Sequence, residues 1–285
     1  MSHPSSPLSQ PPAAQLSLSS SRLIRALAEL DVLSDSAAVK DFGPRFGQLF
    51  ALTDSIGLSD MHYELTKLRF QPREQAADTI IANFIDQRQA LLELISRNFL
   101  AGQEHSRVRN RYPAFRNGLE PEQLCSFEPY QRFYAALQRQ MDFEVQHIQS
   151  FVRDGAAGLS ADLAKLVLLD STLGDTLNGH ARKLFPVVPR LLGARFAFLR
   201  QQHQQSEPEH DQPTNWIKTG AWLDQFRLDC HKLLLAELDI RMQPVLGLIE
   251  AIEEHQAALT PSTPPTPERH SSSRTAPQTT NRTPS

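Results

Sequence analysis

The spacing in this sequence that best fits metal chemistry is Glu144-Val-Gln-His147, in a stretch with helical periodicity. Glu-x-x-His on bundle helices supplies ligands to carboxylate-bridged di-iron sites, which need the motif on two helices and a Glu from each of two others. Of the other nine histidines, only His210 has a Glu three residues before it, and this Glu207 is followed by Pro208 in a polar stretch without helical periodicity. We therefore predict no metal and no cofactor, and keep a metal-binding or catalytic bundle centred on Glu144 and His147 as an alternative.

A second set of polar residues falls within apolar helical stripes: Arg88, Glu144, Asp170 and His180. A buried charge must be paired or neutralised, so these four are a candidate buried polar network in which Arg88 faces Asp170 or Glu144. The alternative is that they lie at the stripe edge and reach out to water. The sequence has no glycine-rich phosphate loop, no GxSxG and no HExxH, so we name no catalytic residue and expect no enzyme.

Positive charge concentrates in two segments, 97–119 with a net charge of +4 and 176–206 with +5. The candidate interaction surface consists of nine basic residues in these segments: Arg107, Arg109, Arg111, Arg116, Arg182, Lys183, Arg190, Arg195 and Arg200. Such stretches, with interleaved aromatic residues, can bind single-stranded nucleic acid, an acidic protein or an anionic membrane surface. We prefer pairing with the acidic helices of this chain or a second copy, because 120–154 and 224–254 carry −3 and −4.

The elements that must position these residues are helices, because apolar residues recur every three or four positions through the middle of the chain. The spacing predicts helices at about 21–30, 37–56, 72–100, 121–153, 160–185, 189–204 and 214–257. Pro72 suits a first helical turn, whereas Asp154-Gly155 and Gly158 predict a helix end. The expected fold is all-α, an elongated bundle of about six to seven helices, several of them long.

Composition divides the 285 residues into three parts. We predict disordered Ser/Pro-rich tails at 1–20 and 258–285 around a single helical domain at 21–257. Within that domain, 102–119 is a candidate internal break and 201–213 a polar loop. The longest aliphatic stretches have four or five residues, too few to cross a bilayer. With no secretory signal pattern and two cysteines placed as reduced thiols, Cys125 and Cys230, we expect a cytoplasmic protein.

Three stretches carry a family resemblance: SRLIRALAELDVL (21–33), RFGQLFALTDSIGLS (45–59) and NGHARKLFPVVPRLLGARF (178–196). They resemble an all-helical proteobacterial family, a domain of unknown function, over about 21–255. The resemblance implies a bacterial, cytoplasmic protein and carries over no catalytic residue. Because such relatives tend to be encoded beside an inner-membrane protein and an OmpA-like envelope protein, it also implies an accessory of an envelope-associated complex.

We therefore expect a non-enzymatic helical interaction or scaffold protein. Its expected partner is another protein, a second copy or an inner-membrane complex, without direct insertion into the membrane. The alternative is a nucleic-acid-binding accessory protein that uses the arginines of 97–119 and 176–206, which we disfavour because the chain is near neutral overall.

Overall fold

The computed structural model describes residues 22–29, 54–100, 110–115, 120–184, 187–206 and 212–259. Within these ranges the chain contains no strand. The helices there are α1 (Arg22–Glu29), α2 (Asp54–Lys67), α3 (Ala77–Asn98), α4 (Pro121–Leu124), α5 (Glu128–Leu159), α6 (Ala161–Leu184), α7 (Val187–Ser206), α8 (Pro213–Trp216) and α9 (Trp222–Leu259). The all-α prediction is confirmed. Residues 1–20, 260–285 and 37–53, for which we predicted tails and a helix, lie outside the described residues.

The longest helix, α9, runs through the middle of the bundle. It packs against α1, α3, α5, α6, α7 and α8, while α5 packs against α3, α6, α7 and α9. At 1.5 Å per residue its 38 residues span about 57 Å. The fully buried Phe226, Leu234, Val245 and Ile252 extend along this length. The core is therefore one continuous column around α9, and α9 continues through Pro244.

The candidate break at 102–119 contains a residue of the core. Tyr112 is fully buried, and its backbone N–H donates to Asn98 O at 2.9 Å. Its ring lies 5.3 Å from Tyr130 and 5.6 Å from Phe133 between ring centroids, and its hydroxyl donates to Leu223 O at 3.3 Å. Residues 110–115 thus pack into the bundle and join α3, α5 and α9.

The helix predicted at 121–153 is divided into α4 and α5 at Cys125–Phe127. Pro129 occupies the first turn of α5, and its ring nitrogen has no hydrogen to donate to the carbonyl four residues earlier, at Cys125. A proline near a helix start favours a new first turn. This proline therefore separates α4 from α5 and leaves a backbone carbonyl that another group must satisfy.

The helix end predicted at Asp154-Gly155 and Gly158 is wrong, because α5 continues to Leu159. These glycines serve close packing instead of termination. A Cβ built on Gly155 would lie 2.7 Å from Ile80 Cδ1, and one on Gly158 would lie 2.7 Å from Arg73 Cβ. Neighbouring segments therefore approach α5 closely at these two positions.

Three further boundaries differ from prediction. The helix expected from Pro72 begins at Ala77, and the residues before it lie against the end of α5, where Arg73 N donates to Gly158 O at 3.1 Å. The polar loop expected at 201–213 is helical up to Ser206, and Pro213 begins α8. The last helix reaches Leu259, two residues into the predicted tail. Among the described helices, none combines the length and the apolar character needed to span a bilayer.

Candidate functional site

Of the four residues in the candidate buried polar network, the three whose side chains the structure describes do not come together. Arg88 is exposed on α3, at the edge of the buried stripe, so for this residue the structure agrees with the alternative to a pair across the core. Asp170 of α6 instead accepts a hydrogen bond from Arg153 Nε of α5 at 2.7 Å. Glu144 is half-buried on α5. The side chain of His180, in α6, lies outside the described residues.

The Glu-x-x-His spacing lies on α5, where His147 is exposed and Glu144 is half-buried. Among the residues that the structure describes, no three or more His, Cys, Asp or Glu side chains are grouped so that they could hold a metal ion. The two residues are therefore not joined there by the further ligands that a di-iron site requires.

A buried polar network is present elsewhere, between α5 and α9. Glu237 is fully buried and accepts hydrogen bonds from Tyr134 Oη at 2.7 Å, Gln138 Nε2 at 2.9 and 3.0 Å, and Arg241 Nη1 at 2.8 Å. Arg241 Nε also donates to Asp142 Oδ1 at 2.6 Å. Both carboxylate oxygens of Glu237 thus have donors, which is the condition under which a buried charge is tolerated.

The protonation of this network follows from its burial. Burial raises the pKa of Glu237, and the Arg241 charge and the donated hydrogen bonds oppose that rise. Burial likewise raises the pKa of Tyr134 well above its usual value. The hydrogen bonds of Glu237 tie α5 to α9. Because Glu237 has no exposed surface, a substrate has no access to its carboxylate. The sequence analysis did not select Glu237, although it lies on one helical face with Leu233, four residues before it, and Arg241, four residues after it.

The nine basic residues of the candidate interaction surface do not share one environment. Arg190 is exposed, whereas Arg111, Arg195 and Arg200 are half-buried. Those about which the structure makes no side-chain statement are Arg107, Arg109, Arg116, Arg182 and Lys183.

Arg195 of α7 pairs with an acidic residue of α9. Its Nε donates to Asp229 Oδ2 at 2.9 Å, and the two side chains are 12% and 10% exposed. Gln225 donates to the other carboxylate oxygen at 3.1 Å, and the guanidinium carbon lies 5.6 Å from the centroid of the exposed Phe198 ring. At this position the basic segment pairs with the acidic helix of the same chain, as we preferred.

Arg200 of α7 satisfies the carbonyl that Pro129 leaves without a helical donor. Its Nη1 donates to Cys125 O at 2.9 Å, and Tyr130 Oη donates to the neighbouring Leu124 O at 3.2 Å. The Arg200 Nε is buried and has no hydrogen-bond partner among the described residues. Within the described part of the chain, the guanidinium is therefore held by one hydrogen bond, at the α4–α5 turn.

Two surface hollows meet at Arg200 and the Cys125–Ser126 turn. The first, of about 410 Å³, lies between this turn and α7, where Phe127, Phe196 and Ala197 provide apolar lining. The second, of about 610 Å³, lies between the turn and α8. We call them the Arg200 hollows. Both volumes fall within the range of small-ligand and peptide side-chain sites.

Packing of the α4–α5 turn against α7 shapes the first hollow. A Cβ built on Gly193 would lie 3.0 Å from Phe127 Cε1, so this glycine permits the close approach of α7. The Phe127 ring also lies 5.8 Å from Phe196 between centroids. These contacts hold the turn, and with it the Arg200 guanidinium, in a defined position.

A comparison with known protein families identifies the family of this chain. The model of a family described as "Protein of unknown function (DUF3348)" matches residues 9–254. The chain belongs to this family. The match begins ahead of α1 and ends within α9, so the Glu237 network and the Arg200 hollows both lie inside the family domain. No curated protein and no solved structure matches the chain.

Proposed function

We propose that the protein is a non-enzymatic helical interaction protein, and that it binds a protein partner at the Arg200 hollows. The observation that carries the proposal is the pair of open hollows around one guanidinium at the surface of α7. Open hollows that combine apolar walls with a few polar groups are typical of ligand and partner sites.

The use of the other charged groups supports the same proposal. Glu237, Asp229 and Asp170 each accept hydrogen bonds from an arginine on the same or a neighbouring helix. Buried ion pairs of this kind specify how helices pack and do not act on a substrate. The hollows are therefore the described surface on which we place binding.

The contacts of the basic segment 176–206 give no support to the alternative of nucleic-acid binding. Arg195 is engaged with Asp229 and Arg200 with Cys125 O, so each serves the fold of its own chain. Polyanion binding requires several cations that are available to phosphates. Nucleic-acid binding stays the second prediction, and retention on heparin at low salt would favour it.

We further propose that binding takes place in the bacterial cytoplasm, at an envelope-associated complex. The family resemblance implies this setting, and the two cysteines, present as thiols, are compatible with a reducing compartment. Self-association through the same hollows is the competing form of the proposal, and sizing of the purified chain separates the two.

The experiment that tests the proposed function is site-specific photo-crosslinking in the native host. A photoreactive amino acid is placed at Gln201 or Gln204, which line the first hollow, and at Gln202, which is exposed on the same helix outside it. We expect a discrete crosslinked protein from the first two positions and none from Gln202. The same products from all three positions, or no product from any, would contradict the proposal.

A further inference from the structure

The lining of the first Arg200 hollow is asymmetric in charge. Among the described residues that line it, the one ionic group is Arg200, and the other polar side chains include the donors Ser126, Gln201 and Gln204. No aspartate or glutamate is among these described lining residues. A ligand that complements this hollow therefore carries negative charge at the guanidinium and can accept hydrogen bonds from hydroxyl and amide groups.

The state of Arg200 points the same way. One nitrogen, Nη1, is engaged by the Cys125 carbonyl, and Nε is buried without an acceptor among the described residues. An unsatisfied buried donor is destabilising, so such groups in native proteins call for an explanation, for example a missing ion or partner. Nε itself is buried, so a ligand in the adjoining hollow would meet the part of the same positively charged guanidinium that lines the hollow.

The second hollow differs from the first because a negatively charged residue lies at its rim. It is lined by Glu122 as well as Arg200, and the Glu122 side chain is exposed. A carboxylate placed there would meet a like charge, which disfavours binding. An acidic group is accordingly directed to the first hollow, and a neutral or apolar neighbour suits the second.

We propose that the ligand of the first hollow is an acidic side chain of the partner protein, an Asp or Glu that is flanked by an apolar residue. The carboxylate binds Arg200 with help from Ser126 and Gln204, and the apolar residue packs on Phe127 and Ala197. This inference rests on the proposed function, and it specifies the chemistry that the partner must present.

A carboxylate fits better than a phosphate, because Arg200 is the single Lys or Arg among the described residues that line the two hollows. Phosphopeptide and nucleic-acid sites gather several basic residues around each phosphate group. One guanidinium with neutral donors matches one singly charged carboxylate. The apolar wall next to the Arg200 guanidinium matches a partner segment in which the acidic residue has an apolar neighbour.

The test uses the purified full-length chain, immobilised, and a random twelve-residue peptide library displayed on phage. We expect enriched peptides that share an Asp or Glu next to an apolar residue. In a matched synthetic peptide, Asp→Asn or Glu→Gln should weaken binding about tenfold, or about 1.4 kcal/mol, because the amide loses the charge that strengthens the hydrogen bond to Arg200. Enrichment of peptides that lack an acid would overturn the inference.

Two substitutions at one exposed position supply the protein side of the test. Ala197→Glu places a carboxylate in the first hollow and should abolish binding of the acidic peptide, whereas Ala197→Lys should keep or strengthen it. Ala258→Glu makes the same change on the exposed C-terminal end of α9, and should leave binding unchanged. Circular dichroism and thermal midpoints confirm that all three variants fold.

The outcomes separate this inference from the proposed function. Suppose that the enriched peptides carry no acid and no longer bind the Ala197→Glu variant. The hollow would then still be a binding site, but its preference for acidic ligands would be overturned. Crosslinking from Gln201 without any enriched peptide would overturn the inference alone. Equal binding by the wild type, Ala197→Glu and Ala258→Glu would remove both the inference and the hollow.

Discussion

Arg195 on α7 and Asp229 on α9 form an ion pair that is almost withdrawn from solvent, with Nε and Oδ2 2.9 Å apart. The pair links a segment with a net charge of +5 to a helical stretch with −4. Charge that would be a binding surface on an isolated helix is here used to pack two helices together.

The first prediction concerns this pair. Replacement of Asp229 by Leu leaves a half-buried guanidinium without its carboxylate, and we expect a loss of roughly 2–3 kcal/mol in the free energy of unfolding, because hydrogen bonds to charged groups are of this size. Urea unfolding followed by circular dichroism measures it. Arg190→Leu, on the exposed face of α7, is the control and should change stability by less than about 0.5 kcal/mol. Equal effects of the two would contradict the structural role of the pair.

The second prediction concerns Glu237. Glu237→Leu leaves the Tyr134 hydroxyl, the Gln138 amide and Arg241 without their shared acceptor inside the bundle. Breaking a buried pair on one side costs about 3–5 kcal/mol, whereas replacing both charges with apolar groups costs much less. We therefore expect Glu237→Leu to be strongly destabilised in urea unfolding.

The double variant Glu237→Leu/Arg241→Met is the matched control for that experiment. It removes both members of the ion pair, and we expect it to recover part of the stability lost in Glu237→Leu. Arg241 also contacts Asp142, which is about half exposed, so that carboxylate can be solvated after the change. A double variant that is less stable than Glu237→Leu would show that the guanidinium stabilises the bundle independently of Glu237.

Sequence patterning could predict the helices but not which polar residue is buried. Arg88 and Glu237 both lie three or four residues from apolar neighbours on a helical stripe, and the same criterion selects both. Only Glu237 faces a second helix that supplies donors, from Tyr134 and Gln138. The edge position of Arg88 depends on where neighbouring helices lie, and this is tertiary information that periodicity does not contain.

Only part of the Arg200 hollows could be predicted from the sequence. Arg200 belonged to the predicted interaction surface as one of five basic residues in 176–206. Its hydrogen bond to the Cys125 carbonyl depends on Pro129, which lies 71 positions earlier in the chain. Because proline has no backbone N–H, that carbonyl lacks its helical donor and accepts from the guanidinium instead. Nothing in local spacing relates two residues so far apart.

The third prediction is a dependence of stability on pH. Burial and the positive charge of Arg227 lower the pKa of His231 from its usual 6.5, and the ring lies against Ser96 and Phe99. Above about pH 7.5 the ring is neutral in both the folded and the unfolded chain. As pH falls below 6.5, the unfolded chain binds the proton first, so the free energy of unfolding decreases by up to about 1.4 kcal/mol per pH unit.

Urea midpoints measured between pH 8 and pH 5 test this, with His231→Gln as the comparison. We expect the difference in stability between wild type and variant to be constant above about pH 7.5 and to change steadily below pH 6.5. Parallel profiles for wild type and His231→Gln would contradict the lowered pKa.

The fourth prediction uses two helical glycines with opposite surroundings. A Cβ on Gly155 would lie 2.7 Å from Ile80 Cδ1 and 2.9 Å from Ile80 Cγ1, whereas a Cβ on Gly247 would meet no atom within 4 Å. Alanine is favoured over glycine inside a helix by about 1 kcal/mol. We expect Gly247→Ala to stabilise the chain by nearly that amount, and Gly155→Ala to destabilise it by roughly 1–3 kcal/mol through overpacking.

The second-site change Ile80→Val supplies the decisive comparison for Gly155. Valine lacks the Cδ1 atom that a Cβ at position 155 would strike first, so Ile80→Val should cost less stability in the Gly155→Ala background than in the wild type. A double-mutant cycle in urea measures this coupling, and Gly247→Ala combined with Ile80→Val should be additive, because nothing lies near Gly247. Additive behaviour for positions 80 and 155 as well would mean that α3 does not pack against Gly155 as closely as this geometry requires.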